Sequence, residues 1–281
     1  MAPPRDPPGP VAPLFTEERQ RLLTLLRSLE PADWGRPTPC PGWSVLGLAC
    51  HLVGDDLGVL ARHRDGWFGT VPPDGVDEGG FIAWLDALQV DWVHAARRLS
   101  PRLVVELLAW TGPELAEHFD AQDASAIGAP VSWAGTGPHP AWLDQYRELS
   151  EYWIHRQQLL EALGREGDLD PRLAGAVLDA LRWAYPYRLG TAATAPGDGV
   201  TIALTGPVTT TWHLVRGDGG WTFTDTAPAS PLAVMQVTTE QAWRLLTNNL
   251  PRAAQHTRHL RGLADVVEVL RGTRAIIGAP R

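Results

Sequence analysis

The sequence has no lysine, only two cysteines and no long apolar run. All 24 basic residues are Arg, so chemistry that needs a lysine nucleophile or a Schiff base is excluded. Cys40 and Cys50 are too few to build a disulfide framework. Because no run of about 18 apolar residues occurs, no membrane span is predicted. The net charge is −8, and the arginines form no cluster dense enough to suggest binding to nucleic acid.

The first 13 residues contain six prolines and no apolar stretch. This composition predicts a disordered tail over 1–13 and is unlike a signal peptide, so a cytoplasmic protein is expected. Hydrophobic residues make up 44% of the chain, which is enough to form an ordinary globular core.

Helical periodicity dominates residues 14–190 and predicts a helical bundle there. Leucines at helical spacing predict a first helix from Thr16, as its N-cap, to Leu29. Ser44 is predicted to cap a second helix that runs to about Arg64. Further helices are predicted at about 81–99, 101–120, 142–163 and 171–188, with a short strand at 130–134.

Residues 199–281 differ in composition and predict a small α+β domain. Four segments rich in Val, Thr and aromatic residues predict strands, namely VTIALTG, VTTTWHLVR, GWTFTDT and LAVMQVT. The sequence RGDGGW predicts a hairpin turn, because glycine permits a positive φ. Two helices are expected in TEQAWRLLTN and LADVVEVLRG. The predicted fold class is therefore mainly α with an added α+β part.

His51 lies inside the second predicted helix, and Gly47, Gly54 and Gly58 fall on the same face. Each glycine inside a helix costs roughly 1 kcal/mol relative to Ala, so these glycines indicate that something approaches this face closely. A neighbouring helix beside a hydrogen-bonded histidine is one explanation. A ligand near the imidazole is the other, and the residues alone leave both open.

Glu151 and His155 are four residues apart in the 142–163 helix, on the side opposite its apolar face. They form either a solvated pair, which is worth a few tenths of a kcal/mol, or a polar stripe lining a covered cavity. In the second case, donors at this spacing can hold one metal ion. Together with His51 they form a His₂Glu set, which suits zinc or a similar divalent ion and leaves a coordination position open.

Four neighbouring residues have weaker assignments. Asp55 follows His51 by one turn and can orient the imidazole or add a ligand, although an exposed helix face is the simpler interpretation. Asp55 and Glu148 are also the candidate general bases. Cys50 points about 100° away from His51 and is expected to be a small buried residue. Cys40 is expected to pack in its loop, with a reactive thiol near the metal as the alternative.

The segment PTPCPGWSVLGLACHLVGD resembles the loop-and-helix signature of the DinB-like superfamily, and in particular that of the mycothiol-dependent maleylpyruvate isomerase family. The segments RELSEYWIHRQQ, AWRLLTNNL and RAIIG resemble later parts of that family. The resemblance implies a DinB-like four-helix bundle in which His51, Glu151 and His155 bind a divalent metal, and a small C-terminal domain. Where the isomerase has a catalytic Arg, this sequence has Asn249, and Arg252 is the candidate replacement.

The family also implies a metal and a co-substrate. The metal is expected to be zinc, with nickel, iron and manganese as alternatives, and the co-substrate a small thiol such as mycothiol. The implied enzyme transfers the thiol to a small electrophile or isomerises that electrophile. The alternatives are a hydrolase that uses metal-activated water and a non-catalytic small-molecule-binding protein. No nucleic-acid or membrane partner is expected, and the chain is expected to be a monomer or a homodimer.

Overall fold

The computed structural model describes residues 3, 8–250 and 259–275 of the chain. Their contacts divide them into two compact units. One unit comprises Pro8–Asp123 and Glu151–Asp168, and the other comprises the described parts of Met1–Pro7, Ala124–Ser150 and Leu169–Arg281. Among the described residues, no helix has the length and apolar character needed to cross a membrane.

The first unit is entirely helical. Helix α1 packs against α4, and α2 packs against both α3 and α4. Leucines from several of these helices, including Leu22, Leu48 and Leu108, are fully buried between them. The helices are α1 Val11–Arg27, α2 Val45–Val59 with a π-helical turn at Leu60–Arg64, α3 Glu78–Ala96, α4 Pro101–Ala121, and the last part of α5 Ala141–Ala162.

Side-chain caps fix where three of these helices begin. Ser44 accepts a hydrogen bond from the Gly47 N–H, which confirms the predicted start of α2. Asp77 begins α3 in the same way, and Ser100 begins α4. Because each cap satisfies an N–H that the helix itself leaves unpaired, the cap positions set the register of the helices that follow.

Two local predictions were wrong. Helix α1 begins at Val11, and Thr16 lies inside it with its hydroxyl bonded to the Ala12 carbonyl. Pro13 does not prevent this, because the first-turn N–H groups of a helix have no partner within it. The end of the predicted tail is thus helical, while residues 1, 2 and 4–7 lie outside the described residues. The predicted strand at 130–134 is instead a 3₁₀ turn, Ser132–Ala134, whose Trp133 is buried.

The second unit combines helices with one mixed sheet of five described strands in the order β3-β2-β1-β4-β5. Strand β1 pairs parallel to β4, and the other pairs are antiparallel. The strands are β1 Gly199–Thr205, β2 Thr210–Gly217, β3 Gly220–Thr224, β4 Ala233–Thr238 and β5 Leu260–Gly262. The four predicted strands are confirmed, and β5 is an addition.

The predicted hairpin joins β2 and β3 through Asp218 and Gly219, and Gly220 has a φ of 121°.

The single helix predicted at 171–188 is two helices, α6 Pro171–Leu181 and α7 Ala184–Leu189. The last helices are α8 Thr239–Leu246 and α9 Ala264–Gly272, as predicted. The predicted fold class is confirmed. The domain boundaries 14–190 and 199–281 remain predictions.

Candidate metal centre

His51 of α2 and His155 of α5 face each other inside the helical unit. Their Nε2 atoms are 3.2 Å apart, and their rings are nearly perpendicular. Only 6% of His51 and 8% of His155 is exposed. The polar side of α5 is therefore covered at this point, as the cavity-lining interpretation requires, and is not a solvated stripe.

Two carboxylates flank this histidine pair. Asp55 places Oδ2 at 3.3 Å from the Nε2 of His51, and Glu151 places Oε2 at 3.3 Å from the Nε2 of His155. The Asp55 side chain is 17% exposed and that of Glu151 23%, so the cluster reaches solvent through its carboxylates. Asp55 is thus a fourth member of the cluster and does not lie on an open helix face.

Each imidazole is held on its far side by one glutamine. The Oε1 atom of Gln89, on α3, lies 3.0 Å from the Nδ1 of His51. The Oε1 atom of Gln158 lies 2.7 Å from the Nδ1 of His155. Because an amide oxygen only accepts hydrogen bonds, both Nδ1 atoms carry the proton as donors. Each Nε2 is then left with a lone pair directed at the other, which is the tautomer that a metal ligand needs.

The donor chemistry of this cluster suits a divalent cation. Each of the three measured separations, 3.2, 3.3 and 3.3 Å, is close to the roughly 3.3 Å between two ligands of a tetrahedral zinc ion with bonds of about 2.0 Å. In the described part of the chain, no group of three or more His, Cys, Asp or Glu side chains is placed so that it could hold a metal ion. The separations fit an ion pair by pair, whereas the four side chains as a group do not enclose one.

Without a cation, the surrounding acceptors favour a protonated imidazole. Burial by itself lowers the pKa of His155, but its interactions with Cys40 and with the Glu151 carboxylate raise this pKa well above its usual value. A proton and a metal ion therefore compete for the same lone pairs.

The glycines on the His51 face serve helix packing. A Cβ on Gly54 would overlap the Trp92 indole of α3, whose N–H donates to the Cys50 carbonyl at 2.7 Å. On the other side, the Trp43 ring lies 4.8 Å from the His51 ring. Of the two explanations that the sequence leaves open, close approach of a neighbouring helix accounts for Gly54.

A second buried cluster, which the sequence did not reveal, lies directly beside the first. Asp56 is fully buried, and its carboxylate accepts from the Arg19 guanidinium at 2.7 Å and from the hydroxyls of Thr111 and Tyr152. The Arg19 guanidinium also lies 4.3 Å from the centre of the Tyr152 ring. Gly112 makes room for Arg19, because a Cβ there would contact the arginine stem at 2.7 Å. These contacts join α1, α2, α4 and α5.

Comparison with known proteins identifies the family. Residues 15–160, just over half of the chain, match the family described as "Mycothiol maleylpyruvate isomerase N-terminal domain". The chain belongs to this family. The matched range covers α1 from Phe15 onward, α2 to α4, and α5 up to Leu160.

Solved structures of a mycothiol-dependent maleylpyruvate isomerase share the fold. The enzyme and its histidine-to-alanine variant each have a TM-score of 0.52 and 14% sequence identity, with 91% of both chains covered. A helical bundle with a small C-terminal α+β part is therefore the fold that this family member shares with these structures. Two relatives from Mycobacterium tuberculosis strains, each called an uncharacterized protein, are 25% identical over 223 residues, which cover 78% of this chain and 82% of theirs.

Two other predicted site residues, Glu148 and Asn249, belong to the second unit. Glu148 is buried and forms an ion pair with Arg147, so its carboxylate is engaged. Asn249 is buried, and its amide donates to the Thr247 carbonyl at 2.9 Å and to the Thr247 hydroxyl at 2.8 Å. Arg252 lies outside the described residues.

The two cysteines differ in their environments. Cys50 is fully buried, which raises the pKa of its thiol to about 11. Cys40 is half-buried, and its Sγ donates to the Oε1 of Gln158 at 3.1 Å. Cys50 is therefore the small buried residue that was predicted. Cys40 is both packed in its loop and adjacent to the glutamine that holds His155.

Proposed function

We propose that this protein is a metal-dependent enzyme that activates a low-molecular-weight thiol, such as mycothiol, for transfer to a small electrophile or for isomerisation of that electrophile. The observation that carries the proposal is the pair of Nε2 atoms at 3.2 Å with a carboxylate oxygen at 3.3 Å from each. Four acceptors held this close repel each other unless a cation or protons lie among them.

The residues that would hold the metal are His51, Glu151 and His155. Two imidazole nitrogens and a carboxylate suit zinc, and also nickel, iron or manganese. When bound, such an ion supplies Lewis acidity, which lowers the pKa of a thiol that reaches it. The supporting amides of Gln89 and Gln158 favour this role, because they keep both Nε2 lone pairs available.

The chain's own groups supply access and proton acceptors. The partly exposed Asp55 and Glu151 mark the side from which a small molecule can approach, while the buried imidazoles are closed off behind them. A carboxylate oxygen of Asp55 or Glu151 that does not bind the ion can accept the proton that a thiol loses on activation. The indole of Trp43 covers the His51 ring and limits water at that edge of the site.

The thiol dependence comes from the family. The solved structures with this fold belong to a mycothiol-dependent maleylpyruvate isomerase, and the family description carries the same name. Addition of a thiolate to a conjugated double bond, followed by its departure, isomerises the bond, and addition alone transfers the thiol. Both outcomes use the same activated thiol, so they are proposed together.

Elemental analysis of protein purified without a histidine tag tests the metal. About one divalent ion per chain is expected in the wild type, and little in Glu151→Ala and His155→Ala. Glu161→Ala and His94→Ala are matched controls, because both residues are exposed and lie outside the cluster. Wild-type protein that takes up no zinc, nickel, iron or manganese after reconstitution would refute the proposal.

Assays of the metal-replete protein then test the thiol. Turnover of a small conjugated electrophile is expected only when a low-molecular-weight thiol is present, and it should be lost on chelation. Turnover without any thiol, also lost on chelation, would instead identify a hydrolase. Tight small-molecule binding without turnover would identify a binding protein on the same scaffold.

A further inference from the structure

Gln89 of α3 contacts two of the four acceptors at once. Its Nε2 donates to the Oδ1 of Asp55 at 3.0 Å, and its Oε1 lies 3.0 Å from the Nδ1 of His51. Because an ionised carboxylate can only accept, the NH₂ end of the amide must face Asp55. The oxygen end then faces His51, so this single amide defines both the rotation of the carboxylate and the tautomer of the imidazole.

We infer that Gln89 is a positioning residue that presents Asp55 as a fourth donor to the cation, beside His51. The inference rests on the proposed metal-dependent function. With Oδ1 held by Gln89, the other oxygen of Asp55 remains directed to the site, at 3.3 Å from the Nε2 of His51. The cation is therefore expected to have Asp55 as a donor in addition to His51, Glu151 and His155, with a fifth coordination position left for the thiol.

The position of Gln89 is fixed by packing between helices. One turn along α3, Trp92 donates its indole N–H to the Cys50 carbonyl and fills the space above Gly54. Val93 and Ala96 of the same helix are buried. These contacts fix the position of α3 along α2. They hold the Gln89 amide at His51, although Gln89 itself is not part of the hydrophobic core.

Gln158 provides a matched comparison. Its Oε1 accepts from the Nδ1 of His155 and from the thiol of Cys40, so it supports one histidine. Loss of Gln158 should therefore weaken metal binding through His155 alone, whereas loss of Gln89 should affect both His51 and Asp55.

Cobalt binding to the full chain tests this inference. Metal-free protein is titrated with Co²⁺ against a chromophoric chelator, and the visible spectrum reports the number and type of ligands. Gln89→Leu should bind Co²⁺ about 10–100-fold more weakly and with an altered spectrum. Gln89→Glu keeps the acceptor for His51 but loses the donor to Asp55, so its spectrum should match that of Asp55→Asn. Gln158→Leu should bind more weakly without that spectral change.

The failure of this inference can be told apart from failure of the proposed function. Gln89→Leu with wild-type affinity and a wild-type spectrum would overturn the positioning role while leaving the metal site in place. A wild-type protein that binds no Co²⁺ would overturn both. Gln89→Glu is nearly isosteric and half-buried, so it keeps the test informative if the leucine variant folds poorly, as judged by circular dichroism.

Discussion

Asp55 and Asp56 are neighbours on α2 and have opposite environments. Asp56 points inward, where Arg19, Thr111 and Tyr152 donate to its carboxylate. Asp55 belongs to the outer cluster, which also contains Glu151 and the two histidines. On α5 the same division separates Tyr152 from Glu151. Adjacent residues on each helix thus belong to different clusters. In the inner cluster, around Asp56, each acceptor has a donor. In the outer cluster, four acceptors lie close together.

The difference separates a structural role from a functional one. A buried carboxylate whose oxygens are all hydrogen-bonded can stay ionised without any further group. Burial lowers the pKa of Arg19, but the charge of Asp56 and the hydrogen bond to it raise this pKa above its usual value, so the arginine stays charged. The two imidazole nitrogens and two carboxylates around His51 and His155 bring four acceptors close together, an arrangement that an added proton or cation would stabilise.

The largest expected effect is a loss of stability from changes in the inner cluster, which is the one around Asp56. Asp56→Ala leaves the buried Arg19 guanidinium without its carboxylate, and a loss of about 3–5 kcal/mol in the free energy of unfolding is expected. Urea denaturation of metal-free protein measures this loss. Asp55→Ala is the adjacent control, and it should lose far less, because Asp55 is partly exposed and lies among other acceptors. Equal losses would remove the distinction between the two clusters.

The second effect is confined to the outer cluster. His51→Ala should fold normally and lose zinc binding at least 100-fold. In wild-type protein, zinc at about 100 times its Kd should add about 2.7 kcal/mol of stability, because it binds only the folded state. Thermal unfolding with and without zinc therefore should show a shift for the wild type and for His94→Ala, but none for His51→Ala. A full shift in His51→Ala would exclude this residue as a ligand.

The sequence predicted the helices that carry His51, Glu151 and His155, and the role of these residues as metal donors stays a prediction. His51, Glu151 and His155 have family motifs and i, i+4 spacing, and leucine periodicity identifies the helices. Gln89 could not be predicted, because an amide has no ligand signature and lies 34 residues from Asp55. The burial of Asp56 was missed for a related reason. A helical wheel places a polar residue on a face, but cannot say whether an arginine on another helix meets it.

The third prediction concerns pH and the outer cluster. Burial lowers the pKa of His155, but its interactions with Cys40 and Glu151 raise this pKa well above its usual value, so protonation of the metal-free site is favoured. A metal must displace this proton, so its affinity should rise with pH, by up to about tenfold per unit below that pKa, and level off above it. Competition titrations with Co²⁺ from pH 6 to 9 measure the slope. A flat profile would mean that His155 is not a ligand.

The smallest expected effect is a difference in thiol reactivity between the two cysteines. Cys50 lies in the packed interior, has its pKa raised to about 11 by burial, and should not react with iodoacetamide at pH 8 in folded protein. Cys40 is half-buried beside Gln158 and should react slowly. Mass spectrometry should find one modified cysteine before denaturation and two after it. Zinc should slow the modification of Cys40, because the ion orders His155 and its glutamine, and should leave Cys50 unaffected. Modification of Cys50 in folded protein would show that α3 separates from α2. Because Gln89 is part of α3, its amide would then also move away from His51.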